Sequence, residues 1–231
     1  MNKENYLFGI VGLLAGLIIG FMFANSVNQG AITLSPTVMN QNSNSLPQNH
    51  PAINGNTSEM QPQVQAAIDK AKAEPNNFEA QIKAAEVYYQ IQRFDGAIEF
   101  LKQANKLKPD DYETIVNLGN AYFDASKYED AEKSYSAALA KKADDVNVRT
   151  DLGLTFIFRE PPNYDRAIQE FQRSLETDPN HIQTLQNLTV GYTKKGDAAK
   201  AKETLARLES LDSSNSAISK LREEIQKLES K

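Results

Sequence analysis

The chain after residue 61 carries apolar residues at intervals of three to four positions, separated by polar residues. This period places the apolar side chains on one face of a helix. Short turns containing Asp, Asn, Gly or Pro interrupt the pattern at regular intervals, and no stretch shows the alternation typical of a β-strand. The pattern therefore predicts an all-α fold assembled from short helices.

The helical pattern also repeats along the chain. Starting from Ala97, the pattern returns at Ala131 after 34 residues, at Ala167 after a further 36 and at Ala201 after a further 34. A period of this length is typical of stacked helical repeats, in which each helix pair buries its apolar faces against its neighbours. Large residues stand at fixed offsets: Tyr88, Tyr122, Phe156 and Tyr192 before the alanines, and Leu101, Tyr135, Phe171 and Leu205 after them.

Short motifs within these repeats resemble the tetratricopeptide repeat family. Leu118-Gly119 precedes Tyr122, Leu152-Gly153 precedes Phe156, and the turns 94–97 and 128–131 end in the repeated alanine. The turn at 159–163 departs from the family's pattern by two extra residues. The resemblance implies an α-solenoid over 62–213, with a capping helix at 62–75, repeats at about 78–111, 112–145, 146–181 and 182–213, and a second capping helix at 214–231.

The resemblance further implies that the first helix of each repeat lines a concave groove. Apolar anchors with a polar rim suit a protein or peptide ligand. Alternatively, some of the residues that would line this groove pack between adjacent helices and are not exposed. A clamp for a peptide carboxylate is not expected, because Ile82 and Thr150 stand where cations would be needed. Carried onto this chain, the groove residues are Ile82, Glu86, Tyr89, Val116, Asn120, Phe123, Leu154, Ile157 and Val190.

Residues 6–24 form an uncharged apolar stretch of 19 residues. As a helix rising about 1.5 Å per residue it would cross roughly 28 Å, close to the thickness of a bilayer core. We expect a single-pass transmembrane helix, with residues 1–5 kept in the cytoplasm by Lys3. The alternative is a cleaved signal peptide, although this apolar stretch is longer than a usual signal core.

Three glycines inside this stretch are spaced by four residues: Gly12, Gly16 and Gly20. Such a stripe lets two membrane helices approach closely, which would permit a homodimer. Glycine is also common in membrane helices generally, so the stripe by itself does not decide between these interpretations. Residues 25–61 are polar, rich in Asn, Gln, Ser and Pro, and predict a disordered linker.

The composition narrows the range of functions. The formal net charge of -5 argues against a nucleic-acid partner, and the absence of cysteine excludes thiolate catalysis and cysteine metal sites. The two histidines, His50 and His181, stand far apart in the chain, and no Gly-rich phosphate loop follows a strand. We therefore expect no catalytic residues, no cofactor and no metal site.

These observations predict a non-enzymatic scaffold anchored in a bacterial inner membrane. The repeats would lie on the periplasmic or extracytoplasmic side and bind a partner protein or peptide during an envelope assembly or biogenesis process. Two alternatives stay open at this point. The chain could be a self-associating structural membrane protein, or a secreted soluble binding module if the N-terminal segment is cleaved.

Overall fold

The computed structural model describes residues 57–230, and within them the chain is entirely helical. Residues 61–230 belong to one compact unit. The all-α prediction is confirmed for this part of the chain. The helices are α1 (Thr57–Ala73), α2 (Phe78–Gln90), α3 (Phe94–Leu107), α4 (Tyr112–Asp124), α5 (Tyr128–Lys141), α6 (Val146–Phe158), α7 (Tyr164–Thr177), α8 (Ile182–Lys195), α9 (Ala198–Leu211) and α10 (Ile218–Glu229).

Consecutive helices pack in pairs: α2 with α3, α4 with α5, α6 with α7, and α8 with α9. The second helix of each pair also packs against the first helix of the next, so one core continues through the stack. Helix α10 closes this stack by packing on α9 and α8. The pairs begin at Phe78, Tyr112, Val146 and Ile182, the first residues of the predicted repeats.

Polar side chains fix where the first helix of several pairs begins. Asn77, Asp111 and Asp145 each precede a helix and accept a hydrogen bond from the backbone N–H three residues further on. An N-cap of this kind satisfies one of the donors that the first helical turn leaves free. Helix α8 ends differently, at Gly196, whose φ of 90° is a left-handed conformation that glycine adopts without strain.

The repeated alanines lie in the interior of the helix stack. Ala97, Ala131, Ala167 and Ala201 are all fully buried, with a relative exposure of 0%. A larger side chain at these positions would force the helices apart, because the interior is packed without spare volume. The 3.6-residue pattern and the repeat period therefore reflect real packing constraints.

Both capping helices differ from their predicted bounds. Helix α1 begins at Thr57, so the predicted linker 25–61 is wrong over its last five residues, and Pro62 stands inside the helix. Pro62 is exposed, and so near the helix start it removes only one backbone hydrogen bond. The helix ends at Ala73, before Pro75, because proline disfavours helical geometry in the residue before it.

The second cap begins at Ile218, four residues later than the predicted 214. Asp212 accepts a hydrogen bond from the backbone N–H of Ser214, and Asn215 accepts one from that of Ala217. These side chains stabilise turns ahead of the helix, so the chain does not enter helical geometry at residue 214.

No helix between residues 57 and 230 is both long enough and apolar enough to cross a bilayer. The predicted cytoplasmic residues 1–5, the transmembrane helix 6–24 with Gly12, Gly16 and Gly20, and the linker up to residue 56 lie outside the described residues.

Candidate functional site

The first helices of the four repeats, α2, α4, α6 and α8, form a row, which we call the inner row. Each inner helix contacts the next through side chains, so groups from different repeats meet along the row. The contacts are Tyr89 with Asp124, Phe123 with Phe158 (ring centroids 5.7 Å apart), and Thr150 with Thr184 (hydroxyl oxygens 2.6 Å apart).

A polar group with an acidic centre lies in the part of this row formed by α2, α4 and α6. The Tyr89 hydroxyl donates a hydrogen bond to Oδ2 of Asp124, which links α2 to α4. The Tyr135 hydroxyl, from the neighbouring α5, donates to Oδ1 of Asn120 at 2.9 Å. The charge of Asp124 acts on Asp151, on α6, so we include Asp151 in the group. We call these five residues the acidic cleft.

Asp151 is the unusual member of the acidic cleft. Its side chain is buried, with a relative exposure of 9%, and its carboxylate has neither a hydrogen bond nor an ion pair within residues 57–230. Burial above all, and then the negative charges of Asp145 and Asp124, raise the pKa of Asp151 to about 8. Asp151 is therefore a buried acid whose charged form has no compensating partner.

The other ionisable groups of the acidic cleft respond to the same environment. Burial raises the pKa of Asp124 to about 7. Burial, together with the charges of Asp151 and Asp124, raises the pKa of Tyr135 well above its usual value. The charge of Asp124 acts on Asp151, and the charges of both act on Tyr135, so these groups lie within electrostatic range of one another. Near neutral pH the acidic cleft therefore holds protons that exposed carboxylates would have released.

Aromatic side chains lie at the C-terminal ends of the inner helices and at the start of the outer helices that follow them. Phe123 packs edge-on against Tyr128, with ring centroids 5.4 Å apart, and Tyr128 stacks on Phe158 at 6.3 Å. Tyr89 packs edge-on against Phe94 at 5.2 Å. All of these rings except Phe123 are partly exposed. They offer rigid contact area at a low entropic cost, as protein-binding surfaces commonly do.

The family of the chain follows from its sequence as well as from this geometry. A tetratricopeptide repeat profile matches residues 92–152 and 162–225, more than half of the chain, and a second profile with the same description matches residues 54–112. The chain belongs to the tetratricopeptide repeat family. The resemblance drawn from the motifs is thereby confirmed, and proteins of this family are in general interaction scaffolds without enzymatic activity.

Solved tetratricopeptide repeat structures share the fold. A MamA crystal structure is 24% identical and matches 67% of this chain and 90% of its own, with a TM-score of 0.61. MamA from Desulfovibrio magneticus RS-1 is 19% identical over 69% and 89% of the two chains, with a TM-score of 0.61. YrrB, described as having an unusual peptide-binding site, is 18% identical over 71% and 84%, with a TM-score of 0.62. Identities this low establish the fold alone, and no curated protein sequence matches the chain.

The tetratricopeptide repeat stack divides the predicted groove residues into two sets. Ile82, Tyr89, Asn120, Ile157 and Val190 are partly exposed on the inner helices, and Glu86 is exposed and paired with Lys83 at 3.0 Å. Three others, Val116, Phe123 and Leu154, are at most 9% exposed. The expectation that these three form an exposed apolar floor is wrong, because they pack between helices, as the alternative interpretation allowed.

Sequence reasoning missed Asp124 and Asp151. A carboxylate on a helix is usually solvated, so neither residue stood out beside the apolar positions. One signal was available in the sequence. Asp151 stands two residues before Gly153, and the equivalent position in the adjacent repeats is an uncharged asparagine, Asn117 or Asn187. Asn187 is fully buried, and neither atom of its amide has a hydrogen-bond partner among the described residues.

The described residues were also compared with the requirements of a metal site. Within residues 57–230 no three or more His, Asp or Glu side chains are grouped so as to hold a metal ion. The only described histidine, His181, lies beside the start of α8 and shares a hydrogen bond with the Thr184 hydroxyl at 2.7 Å.

Proposed function

We propose that this chain is a scaffold that binds a partner protein or peptide along its inner row. The observation that carries the proposal is Asp151, a buried carboxylate without a partner. Burial of this acid holds a proton that an exposed aspartate would release, which costs stability as the pH rises, and a ligand that contacts it would offset that cost. The family's general role as an interaction scaffold agrees with this function.

The surface around Asp151 has the other properties of a binding site. Partly exposed aromatic and aliphatic side chains, including Tyr89, Phe158 and Ile157, stand beside polar groups. Aromatic anchors surrounded by polar groups dominate the energetics of protein recognition. The peptide-binding site named for YrrB concerns that protein, and its fold likeness makes a peptide ligand a reasonable proposal for this one.

Crosslinking in cells tests the proposed surface directly. A photo-reactive amino acid placed at Ile157, on the inner row, should form an adduct with the partner. The matched control is the same amino acid at Lys102, an exposed position on the outer helix α3. Adduct at position 157 alone supports the proposal, whereas equal yields at both positions, or adduct at position 102 alone, would contradict it.

The proposal extends to the location of the protein. We propose that residues 6–24 anchor the chain in a bacterial inner membrane, with the repeats on the periplasmic or extracytoplasmic side, where they serve envelope assembly or biogenesis. The length of the uncharged stretch and the placement of Lys3 support this orientation. Protease added to spheroplasts should then digest the repeats, and N-terminal sequencing should find Met1 intact. A mature N-terminus after residue 24 would favour the secreted binding module instead.

A second candidate function is self-association through the anchor, supported by the spacing of Gly12, Gly16 and Gly20. Replacement of Gly16 by leucine would fill the stripe in the centre of the segment. Size analysis of the full-length chain in detergent should then show a dimer that dissociates in the Gly16→Leu variant. A monomer in both forms removes this function, and an unchanged dimer in both places the contact elsewhere.

A further inference from the structure

We infer that the joint between repeats three and four is an acid-sensitive hinge, at which α8, α9 and α10 loosen from α6 and α7 when His181 takes up a proton. The hinge is a property of the stack and does not depend on the proposed partner. Its polar side lies where the chain turns from α7 into α8, and its apolar side lies near the other end of α8, at Gly191.

A chain of hydrogen bonds holds the polar side of this joint together. Nδ1 of His181 lies 2.7 Å from the hydroxyl oxygen of Thr184, and that oxygen lies 2.6 Å from the hydroxyl oxygen of Thr150 on α6. The Thr150 hydroxyl in turn donates to the carbonyl oxygen of Val146 at 2.7 Å. Both threonines are buried. On this side, therefore, α6 and α8 are joined by hydroxyl groups that end at one imidazole.

The two preceding joints of the stack are built differently. A buried apolar cluster that includes Ala85, Leu101 and Leu118 continues from repeat one into repeat two. Between repeats two and three, the rings of Phe123 and Phe158 pack edge-on with their centroids 5.7 Å apart. Hydration of apolar surface is unfavourable, whereas hydroxyl groups that separate regain hydrogen bonds from water. Opening should therefore cost less at the joint between repeats three and four.

The amide of Asn187 on α8 adds to this difference. Asn187 is fully buried, and neither atom of its amide has a hydrogen-bond partner within residues 57–230. Because opening would let water hydrate this amide, its burial favours the open form. Further along α8 the joint is apolar: a Cβ atom on Gly191 would lie 3.2 Å from Ile168 and 3.9 Å from Ile157. These contacts would remain closed and serve as the pivot.

His181 stands at the position where the other inner helices are capped. Asn77, Asp111 and Asp145 each accept a backbone hydrogen bond at this position, whereas the side chain of His181 accepts none. The first turn of α8 also contains no acidic residue. A positive charge on His181 would therefore stand beside the partly positive N-terminus of α8, with no compensating group on that helix.

Protonation of His181 opposes the closed joint. Burial lowers the pKa of His181 below its usual 6.5, although the charges of Asp178 and Asp145 act in the opposite direction. Opening hydrates the imidazole and restores its ordinary affinity for a proton. The closed joint is therefore favoured above about pH 6.5, and this contribution is lost as the pH falls below that value. The titratable and charged groups near His181 on the neighbouring elements are Asp178 in the turn, Asp145 at the start of α6 with Tyr112 and Lys142 bound to it, and Arg207 of α9, which donates to the carbonyl oxygen of Pro179.

Hydrogen exchange of the full-length chain, followed by mass spectrometry, tests the hinge. The pH is lowered from about 7.5 to about 5.5, and the rates are corrected for the intrinsic effect of pH on exchange. Protection should then fall by about 3- to 10-fold across α8, α9 and α10 together. Protection of α2 to α5 should not fall, because burial raises the pKa of Asp124 and acid therefore stabilises that part of the stack.

Three variants connect this effect to the hinge. His181→Asn introduces the residue that caps repeat one and does not titrate, so protection of α8 to α10 should no longer depend on pH in this range. His50→Asn removes the other histidine of the chain and should leave the fall unchanged. Thr184→Val keeps the shape of the side chain but interrupts the hydrogen bonds, so it should lower the protection of the same three helices at both pH values.

Four results would overturn the hinge. Unchanged protection of the original chain would show that acid does not open the joint. A loss confined to the first turn of α8 would indicate fraying of an uncapped helix end, and an equal loss in α2 to α5 would indicate global unfolding. A fall that persists in His181→Asn would assign the acid sensitivity to another group. None of these results bears on the binding of a partner, which crosslinking at Ile157 tests separately.

Discussion

The ring of Phe171 lies over Gly153 so closely that a Cβ atom on Gly153 would come within 2.4 Å of its Cε1 atom. Gly119 faces the ring of Tyr135 in the same way, with the added Cβ 2.5 Å from Cε1. Repeats one and four have no aromatic residue at the facing position. They pair Ala85 with Leu101 and Thr189 with Leu205, all buried. A large side chain on one helix of a repeat is therefore matched by a small one on the other: where the outer helix carries a ring, the inner helix carries glycine.

This relationship predicts that Gly153→Ala destabilises the stack. Alanine is the better helix former by about 1 kcal/mol, so an exposed site would gain stability. Phe171 is fully buried and cannot swing aside, so overpacking should outweigh that gain and leave a net loss of about 1–3 kcal/mol. Urea denaturation followed by circular dichroism measures the change.

A second variant, Phe171→Leu, tests the same contact from the other side, because it introduces the leucine found at this position in repeats one and four. Alone it should destabilise by leaving a cavity. Combined with Gly153→Ala it should recover part of the loss, because the methyl group then occupies the space of the ring. Additive losses in the double variant would show that the two side chains do not compete for the same volume.

The stability of the stack should depend strongly on the buried carboxylate of Glu170. Its side chain is 3% exposed and bonds to Arg149 at 3.0 Å and to Arg173 at 3.3 Å, which joins α7 to α6. Glu170→Gln should cost about 1–3 kcal/mol, because it leaves the guanidinium of Arg149 partly buried without its carboxylate. The control is Glu86→Gln in the exposed pair with Lys83, which should change stability by less than about 0.5 kcal/mol. Equal effects of the two variants would contradict this account.

The helix pairs could be predicted from the sequence because they depend on local spacing. Ala97 and Ala131 mark where two helices separated by one short turn must touch, and a 34-residue period repeats that requirement. The exposure of inner-row residues depends on how successive pairs pack, which involves partners about 34 residues away, as Thr150 and Thr184 show. Sequence patterns do not contain that information. For this reason Phe123 was expected on the surface and the buried Asp151 was missed.

If helix α10 closes the core, two leucine-to-alanine variants near it should differ in how much stability they lose. Leu221, in α10, is 4% exposed, whereas Leu211, at the end of α9, is 42% exposed. Leu221→Ala should cost about 2–5 kcal/mol because it opens a cavity where the cap covers the stack. Leu211→Ala removes the same atoms from a mostly hydrated site and should cost less than about 1 kcal/mol. Similar losses from both, measured by thermal denaturation, would mean that α10 does not close the core.

The raised pKa of Asp151 should make the protein less stable as pH rises. A carboxylate paired with a cation has the opposite effect, because its pKa is lowered. In the folded protein its pKa is about 8, whereas an unhindered aspartate has 3.8. Between these values the folded state holds a proton that the unfolded state has released, so unfolding becomes easier as pH increases. The contribution is fully present below about pH 4 and is lost progressively as the pH approaches 8.

Asp151→Asn isolates this effect because asparagine has the same shape and does not titrate. Relative to the original chain, the variant should be more stable by about 1–3 kcal/mol at about pH 9, with the difference disappearing near pH 4. Exposed Glu113→Gln serves as the control and should show no such trend. A variant that is equally or less stable at about pH 9 would mean that the carboxylate is well compensated in the free protein.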